Sequence, residues 1–265
     1  MSKARHIMNL SGGKDSTALA VFMKGKVPDM EYVFCDTQKE LPETYEYLDK
    51  IEAFLGKPII RLNDDRGFDH WLQVYGGLLP SSKVRWCTRK LKIEPLEQYV
   101  GTDEVISYVA IRADENRSGY ISTKPNITPV FPFKEAGIVK NDVFRILEES
   151  GLGVPQYYEW RSRSGCYFCF FQRRNEWIGL QDRHPDLFEK AKEYEKIDNE
   201  TEQRFTWSQR ESLSELEKPE RREEILRKAA LDSLDKESKS GHQTLGDLIT
   251  MNDDDDELGC LVCHL

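Results

Sequence analysis

Ile7-Met8-Asn9-Leu10-Ser11-Gly12-Gly13-Lys14-Asp15-Ser16-Thr17 is the stretch on which the fold turns. A short apolar run ends in two adjacent glycines, and a helical pattern follows from Asp15 to about Lys24. A strand running through a tight turn into a helix opens a βαβ unit, and open α/β sheets bind ligands at that edge. Adjacent glycines let backbone N–H groups close on an anion, and the helix N-terminus adds favourable dipole charge. Lys14 brings a mobile cation, and the Ser11 and Ser16 hydroxyls can donate to phosphate oxygens. A Walker A motif would need glycine at position 8, where Met8 stands, and no Gly-x-Gly-x-x-Gly is present. A plain capping turn with Asp15 or Ser16 as N-cap needs one such residue, not this concentration. The stretch Ser11–Ser16 therefore reads as a nucleotide phosphate loop.

Outward from it, the first two thirds of the chain alternate strands and helices. Tyr32–Cys35 is a second strand, Pro42 opens a helix through Leu55, and Pro58–Leu62 is a third strand. Helical stretches around Phe68–Tyr75 and Leu91–Tyr99 precede a fourth strand, Val105–Ile111. Ile127–Phe133 adds an edge strand, because Pro129 and Pro132 do not suit a central one. Strands separated by helix-length segments predict an α/β fold, a parallel open sheet flanked by helices. The texture changes near residue 180. A charged, mostly helical extension follows over 181–252, with helical spacing in Leu187–Tyr194 and Arg221–Leu234, and an acidic, Cys-containing tail over 253–265. Three regions result: 1–180, carrying the phosphate loop and a Cys-x2-Cys pair, then 181–252, then 253–265.

The 265 residues carry a net charge of −9, which argues against a protein that coats duplex nucleic acid by charge alone. The acidity is uneven: residues 1–180 sum to +1 and residues 181–265 to −10. The acidic excess thus belongs to the extension and tail, which read as a solubility or partner-docking element. A local anion site in the first region stays open. No apolar run approaches the roughly 18 residues of a membrane span, and Met1–His6 lacks a secretory h-region. Six cysteines are too sparse for a disulfide scaffold and suit a reducing compartment, so a cytoplasmic protein is expected.

Four motifs resemble one family. Ser11–Ser16 resembles the SGGxDS loop of the PP-loop ATP pyrophosphatase superfamily. Asp36-Thr37-Gln38-Lys39-Glu40-Leu41-Pro42-Glu43-Thr44 is similar to the DTGxx[FL]xET segment of its phosphoadenosine phosphosulfate (PAPS) reductase-like branch, with Gln38 in place of the glycine. Cys87–Leu96 resembles the branch's CTxxxK[IV]xP[LM] segment. Ile111–Arg117 resembles its GxRxxESxxR, with Ala110 where glycine is usual. The resemblance implies ATP and Mg²⁺ as ligands, with Ser11, Gly12, Gly13, Lys14, Asp15, Ser16, Asp36, Arg89 and Arg117 binding nucleotide and Lys14, Asp15 and Arg112 serving catalysis. Asp36 also reads as a helix-entry cap, and the basic run Lys83–Lys92 as a solvated face. Arg112 and Arg117 suit bidentate capture of phosphate or sulfate.

Within the branch, the overall size, the Cys-x2-Cys and the tail make the chain look like the ATP pyrophosphatases of bacterial DNA phosphorothioation. That likeness implies cleavage of ATP to AMP and pyrophosphate, a cysteine desulfurase as sulfur donor, other modification proteins as partners, and DNA as acceptor. Self-association is left open and no membrane partner is expected. Two other readings stand beside it: a PAPS or adenylylsulfate reductase using a tail cysteine, and an ATP-gated interaction module without turnover. Lys14 fits ATP better than PAPS, and the tail Gly259-Cys260-Leu261-Val262-Cys263-His264 shares the composition of a reductase tail but not its order.

Cys166 and Cys169 form a Cys-x2-Cys flanked by Arg161, Arg163, Arg173 and Arg174, a basic setting that favours thiolate. Two thiols do not complete a metal site. Cys87 is the natural third ligand, with Cys260 or Cys263 as the fourth. The resemblance implies a 4Fe–4S cluster, and a persulfide-carrying or redox role for the same thiols stands as the alternative. Cys35, inside a strand, reads as core.

Overall fold

The computed structural model describes residues 4–116, 124–197, 204–208 and 211–239. Arg117, Cys260 and Cys263 lie outside the described residues. The chain divides into two units. The first runs to Gly76, resumes over Lys83–Cys166 and takes in Cys260–Leu265; the second joins Gly77–Ser82 to Tyr167–Gly259. The expected boundary after 180 and this division differ, and Cys169 belongs with the second unit.

In the first unit the order is β1 (Arg5–Asn9), α1 (Lys14–Met23), β2 (Met30–Cys35), α2 (Pro42–Leu55), β3 (Ile59–Leu62), α3 (Gly67–Val74), α4 (Trp86–Thr88), a π-helical turn (Arg89–Ile93), α5 (Glu94–Val100), β4 (Val105–Tyr108), β5 (Ile127–Val130), α6 (Pro132–Glu135) and α7 (Lys140–Glu149). The five strands form one parallel sheet in the order β3-β2-β1-β4-β5. Strands succeed one another outward from β1 to β3, then the chain crosses back to lay β4 on the other side of β1. The order therefore reverses between β1 and β4, where an open sheet leaves a crevice at its strand ends.

Alternation along β1 sends Met8 and Leu10 to one face and Ile7 to the other. The first face packs against α1, α2 and α7 through Leu19, Leu48, Ile51, Val143 and Leu147. The second packs against α5 through Leu96 and Val100, joined by Val33, Cys35 and Val105. Helix α2 spans the expected residues because Pro42 suits its first turn and Gly56, at φ +66°, ends it in the left-handed region.

Three expectations are corrected in extent. β4 stops at Tyr108 rather than Ile111: Val109, Ala110 and Ile111 are buried but leave the strand. Their apolarity reports burial, not pairing. β5 stops at Val130 because Pro132 starts a helix. The basic run Lys83–Lys92 is mostly helical, entering α4 at Trp86. Helix α7 was not read from sequence, since Val143 and Leu147 are the side chains it fully buries.

The second unit holds α8 (Arg174–Arg183), α9 (Pro185–Glu193), β6 (Lys196–Ile197) paired antiparallel with β7 (Arg204–Phe205), α10 (Leu213–Leu216) and α11 (Pro219–Lys239). Phe168, Tyr194 and Trp207 form its aromatic centre. The C-terminal region is helical, as expected. No helix among the described residues is long and apolar enough to cross a membrane.

Candidate nucleotide site

The turn between β1 and α1 is built so that both glycines are required. Gly12 has φ +69°, and a Cβ there would lie 2.8 Å from Thr44 Cγ2 of α2. Gly13 has an ordinary φ, but a Cβ would lie 2.7 Å from Ser164 Oγ. Gly13 is the N-cap of α1, without a side-chain cap, so Asp15 and Ser16 stand inside the first turn and neither caps it. Ser16 instead braces the loop: its Oγ accepts from Ser11 N–H at 3.2 Å and donates to Gly13 O at 3.1 Å. Thr17 Oγ1 donates to the same carbonyl at 2.8 Å.

A second segment, which sequence reasoning did not connect to the loop, closes on it. Tyr157 Oη donates to Gly12 O at 2.8 Å, and Tyr158 Oη accepts the Lys14 N–H at 3.1 Å. Burial holds the Tyr158 phenol well above its usual range, with Asp15 adding to it. Ser164 Oγ donates to Ser11 Oγ at 3.1 Å. Arg161, 2% exposed, ties this segment together by donating to Gly165 O at 3.1 Å and Cys166 O at 2.8 Å. Its observed work is to hold the turn that carries Cys166. The hydroxyls of these residues were the signal available in the sequence, but nothing local ties residues 157–164 to residues 11–14.

Asp15 is 3% exposed and stands between two cations. Lys14 Nζ lies 2.7 Å from its Oδ2, and Arg112 Nη1, from just past β4, lies 2.9 Å from its Oδ1. The sheet's reversal between β1 and β4 brings these residues together. Arg112 also meets Asp114 at 2.9 Å and Glu115 at 2.8 Å. Burial opposes its charge, yet Asp15, Glu115 and Asp114 outweigh that and hold the guanidinium firmly protonated. Three carboxylates thus grip Arg112, where the sequence reading had it facing an anion directly.

The remaining residues are more dispersed in role. Asp36 follows β2, and its Oδ1 accepts from Gln38 N–H at 2.7 Å and Tyr45 Oη at 2.8 Å, shaping a turn rather than capping α2. Gln38 sits at φ +60°. Arg89 is exposed, with its Nε 3.4 Å from Glu94. Lys90 pairs with Glu94 at 2.7 Å over the Trp71 ring. Cys87 is half-buried on α4. Cys35 is core: its thiol donates to Lys92 O at 3.4 Å, and burial pushes its pKa up to about 11.

Asp15, the buried carboxylate of the loop, is the kind of oxygen donor Mg²⁺ takes together with phosphate oxygens, and bound Mg²⁺ would supply neutralising charge to a leaving pyrophosphate. The cysteines expected to hold an iron–sulfur cluster lie only partly within the described residues, since Cys260 and Cys263 are outside them. Among the described residues no three His, Cys, Asp or Glu side chains gather to hold a metal, and the Cys166 sulfur packs on Thr37 Oγ1 at 3.1 Å.

This geometry is that of a PP-loop α/β domain. Residues 5–134, about half of the chain, match the model of the phosphoadenosine phosphosulfate reductase domain, and this region belongs to the PP-loop, PAPS reductase-like superfamily. An uncharacterised protein of Methanocaldococcus jannaschii is 30% identical over 194 residues, 68% of this chain and 39% of that one. A tRNA-specific 2-thiouridylase of Pediococcus pentosaceus is 27% identical over 214 residues, 67% of this chain and 55% of its own length. The chain thus spans well under two thirds of these relatives. A PAPS reductase from Candida auris, solved as a phosphate complex, aligns at a TM-score of 0.49 with 14% identity, covering 62% of this chain and 82% of that one. Members of the superfamily are enzymes that act on nucleotides in sulfur-related chemistry.

Proposed function

We propose that this chain is an ATP pyrophosphatase that activates an acceptor oxygen for sulfur incorporation. One observation carries the reading: the segment bearing Cys166 is packed on the phosphate loop, Ser164 Oγ lying 3.1 Å from Ser11 Oγ. A thiol two residues from a group that touches the phosphate loop suits a site where nucleotide activation and sulfur chemistry meet. The acceptor oxygen attacks the α-phosphorus of ATP and pyrophosphate leaves with the bridging oxygen's electrons. A sulfur nucleophile then displaces AMP. Lys14 offsets charge on the departing pyrophosphate, while Arg112, fixed by its carboxylates, is preorganised beside Asp15.

The likeness to a protein named for thiolating tRNA favours nucleic acid as acceptor. We take DNA as that acceptor and a cysteine desulfurase as the source of persulfide, in keeping with the phosphorothioation resemblance. The match to a PAPS reductase domain favours a second reading, direct sulfonucleotide reduction.

Incubation with ATP and Mg²⁺ should release AMP and pyrophosphate. Lys14→Ala, at a group aimed at the leaving charge, should lower the rate by about 10²-fold. ADP and phosphate as products, or no product with desulfurase and DNA present, would overturn the proposal. Sulfite release from PAPS with thioredoxin would establish the second reading instead.

A further inference from the structure

The hydroxyls of Ser11, Ser16, Thr17, Tyr157, Tyr158 and Ser164 bond within the phosphate loop or onto it. Each has one proton to donate. Ser16 and Thr17 donate to Gly13 O, Tyr157 to Gly12 O and Ser164 to Ser11 Oγ. With the Ser16 proton on Gly13 O, Ser11 is the donor in its 3.1 Å contact with Ser16 Oγ. Tyr158 is the exception. Its Oη accepts the Lys14 N–H at 3.1 Å, and its own proton meets no acceptor among the described residues. Lys14 is the first residue of α1, where N–H groups point outward without a partner in the helix. The Tyr158 oxygen therefore stands on the side of the loop that faces an anion.

We propose that the Tyr158 O–H donates to a phosphate oxygen of the nucleotide at this loop, so that the partial charge of the helix start reaches the anion through the phenol. Accepting the Lys14 N–H polarises the O–H and strengthens it as a donor. Burial, reinforced by Asp15, keeps the phenol neutral, so no second anion stands beside the phosphate. The ring is fixed in place. It stacks on Tyr157 with centroids 5.0 Å apart, and Tyr157 is buried and anchored on Gly12 O. Lys14 Nζ lies 5.6 Å from the Tyr158 ring centroid, so the loop's ammonium and this hydroxyl stand together. Asp15 offsets part of the charge of Lys14 and of Arg112, whereas no carboxylate accepts the phenol proton. No proton is transferred: a preorganised dipole offsets charge as pyrophosphate leaves. The assignment deepens the ATP pyrophosphatase reading and rests on it for the identity of the anion.

Calorimetric titration of inorganic pyrophosphate with Mg²⁺ into the full chain tests the assignment. Tyr158→Phe should weaken pyrophosphate binding by about tenfold, the low end for a hydrogen bond to a charged acceptor. Phenylalanine also takes the acceptor away from the Lys14 N–H, so a second substitution separates the two effects. A meta-fluorotyrosine in place of Tyr158 keeps the ring and the oxygen and makes the O–H a stronger donor. It should bind pyrophosphate severalfold more tightly than the unaltered protein at neutral pH, a gain that a packing role would not produce. Unchanged or tighter binding in Tyr158→Phe would overturn the proposal; the tighter result would mean that the hydroxyl competes with the anion for the Lys14 N–H. No gain with meta-fluorotyrosine would overturn it as well, as would an unaltered protein that binds no pyrophosphate. If the phenylalanine variant does not fold, the meta-fluorotyrosine result decides. ATP turnover is a separate readout. AMP release with an unchanged Tyr158→Phe affinity removes the role of Tyr158 and keeps the pyrophosphatase reading. A weakened Tyr158→Phe affinity without AMP release from the unaltered protein does the reverse.

Discussion

Replacing Gly13 with alanine probes the contact on which the proposed function leans. Gly13 has φ −94° and ψ 165°, extended backbone open to any L-residue, so alanine meets no dihedral penalty. It meets Ser164: the new Cβ would stand 2.7 Å from Ser164 Oγ, 3.2 Å from Ser164 Cβ and 3.3 Å from Ser11 Oγ. Relieving an overlap in a packed site costs about 1–3 kcal/mol. Alanine is also a poorer N-cap than glycine, by up to about 1 kcal/mol. Gly13→Ala should therefore destabilise the protein by about 2–3 kcal/mol. Ser164→Ala alone should cost about 1 kcal/mol through its lost hydrogen bond to Ser11. In the double variant the hydroxyl that causes the deepest overlap is gone, so part of the Gly13→Ala cost should be recovered, a coupling of about 1–2 kcal/mol. Urea unfolding of all four proteins measures it. Additivity within about 0.5 kcal/mol would refute the packing of residues 164–166 on the phosphate loop and remove the main support for the sulfur reading.

Two further outcomes are expected. Gln38→Gly should stabilise the protein by about 1 kcal/mol, because Gln38 at φ +60° bears the left-handed penalty that glycine escapes; a thermal scan should show Tm rising by about 2–4 °C, and no rise would mean that the side chain's contacts repay the strain. Cys35 should resist iodoacetamide in the native protein at neutral pH, since burial holds its pKa at about 11 against a usual 9.0. A raised native pKa means that the neutral thiol's contribution is full below pH 9 and is lost as pH rises toward 11. Urea titrations should then show an alkaline loss in this window that Cys35→Ala lacks.

The parts of the fold legible in the sequence are those whose signals are local. Helix α2 was read residue for residue because Pro42 and the residues before Gly56 mark its ends within the chain itself. The edge position of β5 followed from Pro129, which lacks a ladder N–H. β4 was overextended because Val109–Ile111 is as apolar as a strand while its backbone has already left the sheet. Helix α7 was missed because its buried stripe is two side chains wide. At the site, Ser11–Ser16 was legible as a unit, yet the roles assigned to its members shifted: Ser16 braces the loop, and Arg112 is held by carboxylates.

By itself the sequence determined that a glycine turn joins β1 to α1, that Lys14 and Asp15 stand at its helical end, and that the sheet is parallel. These follow from backbone conformation, helix-start chemistry and hydrophobic spacing, all properties of neighbouring residues. Only the tertiary structure decided that Arg112 reaches Asp15, that Tyr157, Tyr158 and Ser164 close on the loop, and that Cys166 sits against Thr37. Those pairings join residues about a hundred or more positions apart, or cross from one strand end to another. No local pattern encodes them, because they arise from the reversal of strand order between β1 and β4 and from the packing it permits.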